Sequence, residues 1–293
     1  VMENINQNSK IDVTAKVGSF TFIENSEIGP NVVVGHNCSI IGAKIEGYCH
    51  IGNNVSINGN IQIGQYNTIS DGVIVSGNVR IGMHNQIESG SVIGCLTPRS
   101  GKFKGGRVYI GNNNFIAARI NSSTNNTGTI IANDVILHCC IIAPNCQIGV
   151  EFEDLSPSYE DCKTAVWNGA VIDADVIIYR GANIISNVTI RPNVWIGPYA
   201  IIHDGTVTKD VLPGSVLINL EVDCLNTLAV QKAYHLNEKV MEKVIFHFMN
   251  EKKGQENSFY HLLQCDDNKY TAKEFWNLLS KFNNKCFEKS RKI

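Results

Sequence analysis

Ile172-Asp173-Ala174-Asp175-Val176-Ile177-Ile178-Tyr179-Arg180-Gly181-Ala182-Asn183-Ile184-Ile185-Ser186-Asn187-Val188-Thr189-Ile190 sets an isoleucine at every sixth position. Neither a helix, with a period near 3.6, nor a single strand, with a period of 2, calls for that rhythm. A triangular coil does, with one short strand and one corner per six residues and three such units per turn. Working outward, the series extends back to Val166 and on to Ile196 and Ile202. A second run goes without a break from Ile45 through Ile51, Ile57, Ile63, Ile69, Val75, Ile81 and Ile87 to Ile93. Between the two, Ile130, Ile136, Ile142 and Ile148 continue the register.

The neighbours of the aliphatic residue suit corners. Glycine follows it at Gly29, Gly35, Gly52, Gly64, Gly82, Gly111, Gly149 and Gly197, and Asn or Asp fills much of the rest. These residues tolerate the tight, left-handed backbone that a repeated bend requires. Two residues before each late aliphatic sits a small or β-branched side chain: Ala170, Val176, Ala182, Val188, Val194 and Ala200. That second inward position fills the bend.

The hexads resemble those of the hexapeptide-repeat acyltransferases, and Ile11-Asp12-Val13-Thr14-Ala15-Lys16-Val17-Gly18 resembles the entry hexads of the branch that acylates nucleotide sugars. Within that branch the chain is most similar to the UDP-N-acetylglucosamine O-acyltransferases and the nucleotide-aminosugar N-acetyltransferases. The resemblance covers roughly residues 11–220 and implies an all-β fold, a left-handed parallel β-helix of hexapeptide repeats, assembled as a homotrimer.

The chain has 293 residues, a formal net charge of -2 and scattered Lys and Arg. That balance excludes the basic face of a nucleic-acid binder. No apolar run approaches the roughly 20 residues that span a bilayer, and no signal peptide is expected. The 10 cysteines lack zinc-site spacing, and no metal is expected. Several of them, Cys38, Cys49 and Cys146 included, fall inside hexads, where a small thiol packs well; a reducing cytoplasm is the expected location.

Two stretches break the rhythm. Residues 94–109 hold a glycine-rich basic loop with Arg99, Lys102, Lys104 and Arg107, and Glu151 to Lys163 is acidic and polar. Insertions on rigid repeats are where binding work concentrates. The four cations suit a phosphate or diphosphate, approached also by backbone N–H groups of the glycines. Asn121 and Asn125, in a polar run between coil segments, are candidates to hydrogen-bond a sugar. The sequence divides into a β-helix domain over 1–220 and a C-terminal α-helical domain over 221–293, where Val240, Val244 and Phe248 follow helical spacing and Thr271 with Glu274 forms a capping box.

Acyl transfer from a thioester needs a base for the attacking group and a donor for the oxyanion. Of the coil histidines His36, His50, His84, His138 and His203, the first choice as base is His138, placed at a corner beyond the basic loop. The resemblance also marks a departure. In Ile141-Ile142-Ala143-Pro144-Asn145-Cys146-Gln147-Ile148-Gly149, Pro144 occupies the place of the long-chain O-acyltransferases' catalytic histidine. Either His138 takes over that role, or the substrate's own amine suffices, or the chain is a non-catalytic assembly subunit. Thr208-Lys209-Asp210-Val211-Leu212-Pro213-Gly214-Ser215-Val216 resembles the exit motif of acetyl-CoA-dependent members, which implies contacts from Thr208 and Lys209 to coenzyme A.

The expected activity is transfer of an acetyl or short acyl group from acyl-CoA to an amine or hydroxyl of a nucleotide-linked sugar, for surface polysaccharide or glycan assembly. The alternative donor is an acyl carrier protein, acting on a UDP-sugar hydroxyl as in lipid A synthesis.

Overall fold

The computed structural model describes residues 5–94, 107–121, 128–150, 163–211, 214–218 and 221–225. Every element among them is a β-strand, and the strands join in one continuous parallel sheet wound on itself, closed by one antiparallel pairing of Ser215–Ile218 with Glu221–Leu225. The result is an all-β parallel solenoid of about ten turns.

Three ladders of inward aliphatic side chains define its three faces. The first face stacks Ile23, Ile40, Ile57, Val75, Ile93, Ile120, Ile142, Ile172, Ile190 and Val207. The second stacks Ile28, Ile45, Ile63, Ile81, Ile110, Ile131, Ile148, Ile178 and Ile196. The third stacks Val34, Ile51, Ile69, Ile87, Ile116, Leu137, Val166, Ile184 and Ile202. We call the bend between first and second faces the first corner, that between second and third the second, and that between third and first the third.

Most of the ladder residues are no more than 1% exposed, and each contributes about 1.5–3 kcal/mol by leaving water. The expected runs Ile45–Ile93 and Val166–Ile202 all point inward. The middle register is corrected: Ile131 and Leu137 are the buried residues, whereas Ile130 and Ile136 stand outside the core. The third corner falls short of a full hexad here: Ile142 comes five positions after Leu137, where Ile172 comes six after Val166, and that displaces the inward register by one. Ala117 and Ala118 pair with His138 and Cys140, leaving Cys139, at φ 48°, as a bulge against the still shorter preceding turn.

The corners are filled as the spacing demands. At the third corner Cys38, Val55, Val73, Ser91, Ala118, Cys140, Ala170 and Val188 turn inward. At the second corner the filling is polar over three turns. Asn67, Asn85 and Asn114 are buried and form an amide ladder: Asn85 donates through Nδ2 to Asn67 Oδ1 (3.0 Å) and Gly111 O (2.9 Å), while Asn85 Oδ1 accepts from Asn114 N (3.0 Å). The left-handed positions of this corner hold Tyr48, Tyr66 and His84, which stack at 5.0 Å ring spacing. At the first corner Gly59, with φ +134°, admits no side chain, since a Cβ would meet Gly77 O at 2.2 Å.

The helical domain expected over 221–293 lies, from 226 on, outside the described residues; 221–225 is the antiparallel strand. Among the described residues no helix is long and apolar enough to cross a membrane.

Candidate functional site

His138 lies in the strand Val135–Ile142, one residue after the buried Leu137. The bulge at Cys139 lifts the strand at this point, so the imidazole stands out on the third corner, half-buried. Phe115 of the preceding turn lies nearly parallel to it at 6.2 Å, and Trp167 of the following turn is tilted at 6.1 Å. Trp167 is itself held by Nε1 donating to Asn183 Oδ1 at 2.8 Å. His138 Nδ1 and Asn168 Oδ1 form a hydrogen bond. An amide oxygen can only accept, so Nδ1 is the donor, and in the neutral tautomer this selects, the lone pair is on Nε2. That is the tautomer a general base needs, with Asn168 as the group that orients the ring.

Thiol chemistry near this point is divided. Burial pushes the Cys140 thiol up to about 12, and that of Cys146 likewise to about 12, which makes both poor nucleophiles. Cys139 is exposed. Among the described residues no group of three or more His, Cys, Asp or Glu could hold a metal ion.

The other expected residues stand elsewhere on the coil. Arg107 opens a second-face strand at the first corner, with Nη1 donating to Tyr109 Oη at 3.1 Å. Asn121 follows Ile120 at the same corner one turn on, and both its backbone N and Nδ2 donate to Ile142 O, at 3.0 and 3.3 Å. Thr208 and Lys209 follow Val207, again at the first corner and exposed, four rungs or about 19 Å farther along the axis. Arg99, Lys102 and Lys104, and also Asn125, lie outside the described residues. The described residues that flank their segments, Gly94 and Arg107, then Asn121 and Gly128, stand at the first corner in successive turns.

Arg107, Asn121, Thr208 and Lys209 therefore share one edge of the first face. His138 occupies the opposite edge, about 16 Å away along a strand. Pro144 is on the first-corner edge, where its carbonyl accepts from Asp175 N at 3.1 Å. Sequence reasoning missed Asn168, Trp167 and Phe115, which join His138 only through the stacking of turns. It also missed Arg80 and Tyr109, beside Arg107.

The architecture is that of a known class of solenoid. The chain shares the fold of the UDP-N-acetylglucosamine acyltransferase of Arabidopsis, at 18% identity, with 96% of each chain covered and a TM-score of 0.53. The UDP-N-acetylglucosamine acyltransferase of Campylobacter jejuni is a more distant likeness, at 17% identity over 86% of this chain and 91% of that one, with a TM-score of 0.42. No family model and no curated protein matches the sequence.

Proposed function

We propose that the chain is an acyltransferase that moves an acetyl or short acyl group from acyl-CoA to an amino or hydroxyl group of a nucleotide-linked sugar. The observation that supports it above all others is the imidazole of His138, whose Nδ1 is engaged by Asn168 Oδ1, which leaves Nε2 as the nitrogen available to a substrate. In the proposed step Nε2 takes the proton of the attacking amine or hydroxyl. The freed nucleophile adds to the thioester carbonyl, the C–S bond breaks, and the proton passes to the departing thiolate.

In this reading Arg99, Lys102, Lys104 and Arg107 bind the diphosphate of the sugar nucleotide, and Asn121 and Asn125 its hydroxyls. Thr208 and Lys209 bind coenzyme A. The separation of these groups from His138 across the first face favours a homotrimer of left-handed coils, in which the edge of one coil faces its neighbour. The 226–293 segment is read as the helical domain beside the coil. The described cysteines are free thiols, which suits a reducing cytoplasm.

One observation favours a second reading. Pro144, on the edge that carries Asn121, has no proton-accepting side chain, as in a non-catalytic assembly subunit. It also counts against transfer from an acyl carrier protein to a UDP-sugar, the donor alternative. Incubation with acetyl-CoA and a panel of nucleotide aminosugars separates the cases. Free thiol should accumulate with at least one sugar. Silence with every sugar, together with stable capture of a protein partner, would favour the assembly role.

A further inference from the structure

On the second face a groove of about 510 Å³ runs across five turns, lined by Lys44, Gln62, Arg80, Tyr109 and Ile130 among others. Its floor includes Gly64, Gly82 and Gly111. These glycines answer to the corner itself, since a Cβ on Gly82 would meet Asn112 Oδ1 at 2.2 Å and one on Gly111 would meet Asn133 Oδ1 at 2.2 Å. They leave the groove bare, and the side chains above them decide what it can hold.

Two guanidinium groups flank one phenol there. Arg80 lies over the ring of Tyr109, 6.0 Å from its centroid, and Arg107 donates to the same residue's hydroxyl at 3.1 Å. Tyr109 thus organises two cations on neighbouring rungs, Arg80 pairing with Tyr109 across the ladder. Among the described residues neither arginine has a carboxylate partner. Lys44, in contrast, shares Glu27 with Lys10, at 3.9 and 4.0 Å. Glu46, a carboxylate on the groove wall, belongs to a turn two rungs, or about 10 Å, from that of Arg80.

We infer that Arg80, Arg107 and Tyr109 form a diphosphate subsite on the second face. Each guanidinium offers five N–H donors in a fixed fork, and two forks on adjacent rungs match a group with several oxyanion oxygens better than a single carboxylate. The choice of ligand rests on the acyl-transfer reading, in which sugar nucleotide and coenzyme A both carry a diphosphate. The geometry adds Arg80 and Tyr109, which lie in regular strands, to Arg107.

Calorimetric titration of the full chain with inorganic pyrophosphate, UDP and coenzyme A tests the subsite. Arg80→Gln should weaken pyrophosphate about tenfold. Tyr109→Phe, which keeps the ring and loses the hydroxyl that holds Arg107, should weaken it about threefold. Lys16→Gln, which removes one exposed charge on the third face, should change nothing. A matching loss for UDP alone assigns the subsite to the sugar nucleotide, and one for coenzyme A alone assigns it to the donor. No pyrophosphate binding by the unaltered chain at millimolar concentration would overturn the inference, as would equal losses in the Arg80 and Lys16 variants. Weakened pyrophosphate binding without any thiol release would retire the acyl-transfer reading and leave the subsite standing. Thiol release with unchanged KM and unchanged pyrophosphate affinity in Arg80→Gln would do the reverse.

Discussion

His138→Ala should slow acyl transfer by roughly 10²–10⁴-fold, the span expected when a general base is lost. The ring has one hydrogen-bond partner among the described residues, Asn168, and two aromatic neighbours that fix its plane. Removing the imidazole takes away the proton acceptor and leaves the ladder beneath it intact, because Leu137 and Cys140, not His138, fill the interior. The variant should fold as the parent does and bind sugar nucleotide with little change. Asn168→Ala should lower kcat by a smaller factor with KM unchanged, since it frees the ring to turn without removing Nε2. Thiol release by the two variants, followed over time at saturating acetyl-CoA, checks both expectations. An unchanged rate in His138→Ala would remove this residue from the mechanism.

Asn85→Leu should cost about 3–5 kcal/mol of stability, an effect larger than its position near the surface of a corner suggests. Asn85 is 2% exposed, and its side chain serves three groups at once. Leucine would strand the Asn114 N–H and leave Gly111 O without this donor, each worth about 1–3 kcal/mol when buried. Its branched end would also be forced into a slot shaped for a planar amide, at a further cost of about 1–3 kcal/mol. Urea unfolding should show a lower midpoint with an unchanged slope. A loss below about 1 kcal/mol would mean that the amide ladder is replaceable by apolar packing, as it is at Val32 and Val135 of the same corner.

The parallel coil and its core were legible because one side-chain type recurs at one spacing, and nothing but a stacked solenoid buries all of those residues together. Legibility failed where two aliphatics stand side by side. Ile130-Ile131 and Ile136-Leu137 each offer two inward candidates, and the shortened corner between Leu137 and Ile142 decides between them. Periodicity carries no record of such a corner, since dropping one residue shifts the rhythm without changing composition. The earliest turns are shorter as well, with partners 17 residues apart at Ile23 and Ile40 against 18 at Ile57 and Val75.

The candidate site was half legible for a related reason. A histidine beyond a broken hexad can be picked out along the chain. Its orienting partner Asn168 lies 30 residues away, beyond the acidic, polar break in the hexads at 151–163. Likewise Arg80 and Tyr109 meet only when turns are stacked with residues 95–106 counted out. Spacing along the chain finds ladders within regular turns and loses them across insertions.

The most direct test is a crystal structure of the chain with a bound nucleotide sugar. On this account the sugar's reacting amine or hydroxyl lies within about 2.6–3.2 Å of His138 Nε2, or one water away. A sugar seated with its reacting group at the first corner beside Pro144, beyond reach of His138 from any subunit, would contradict it.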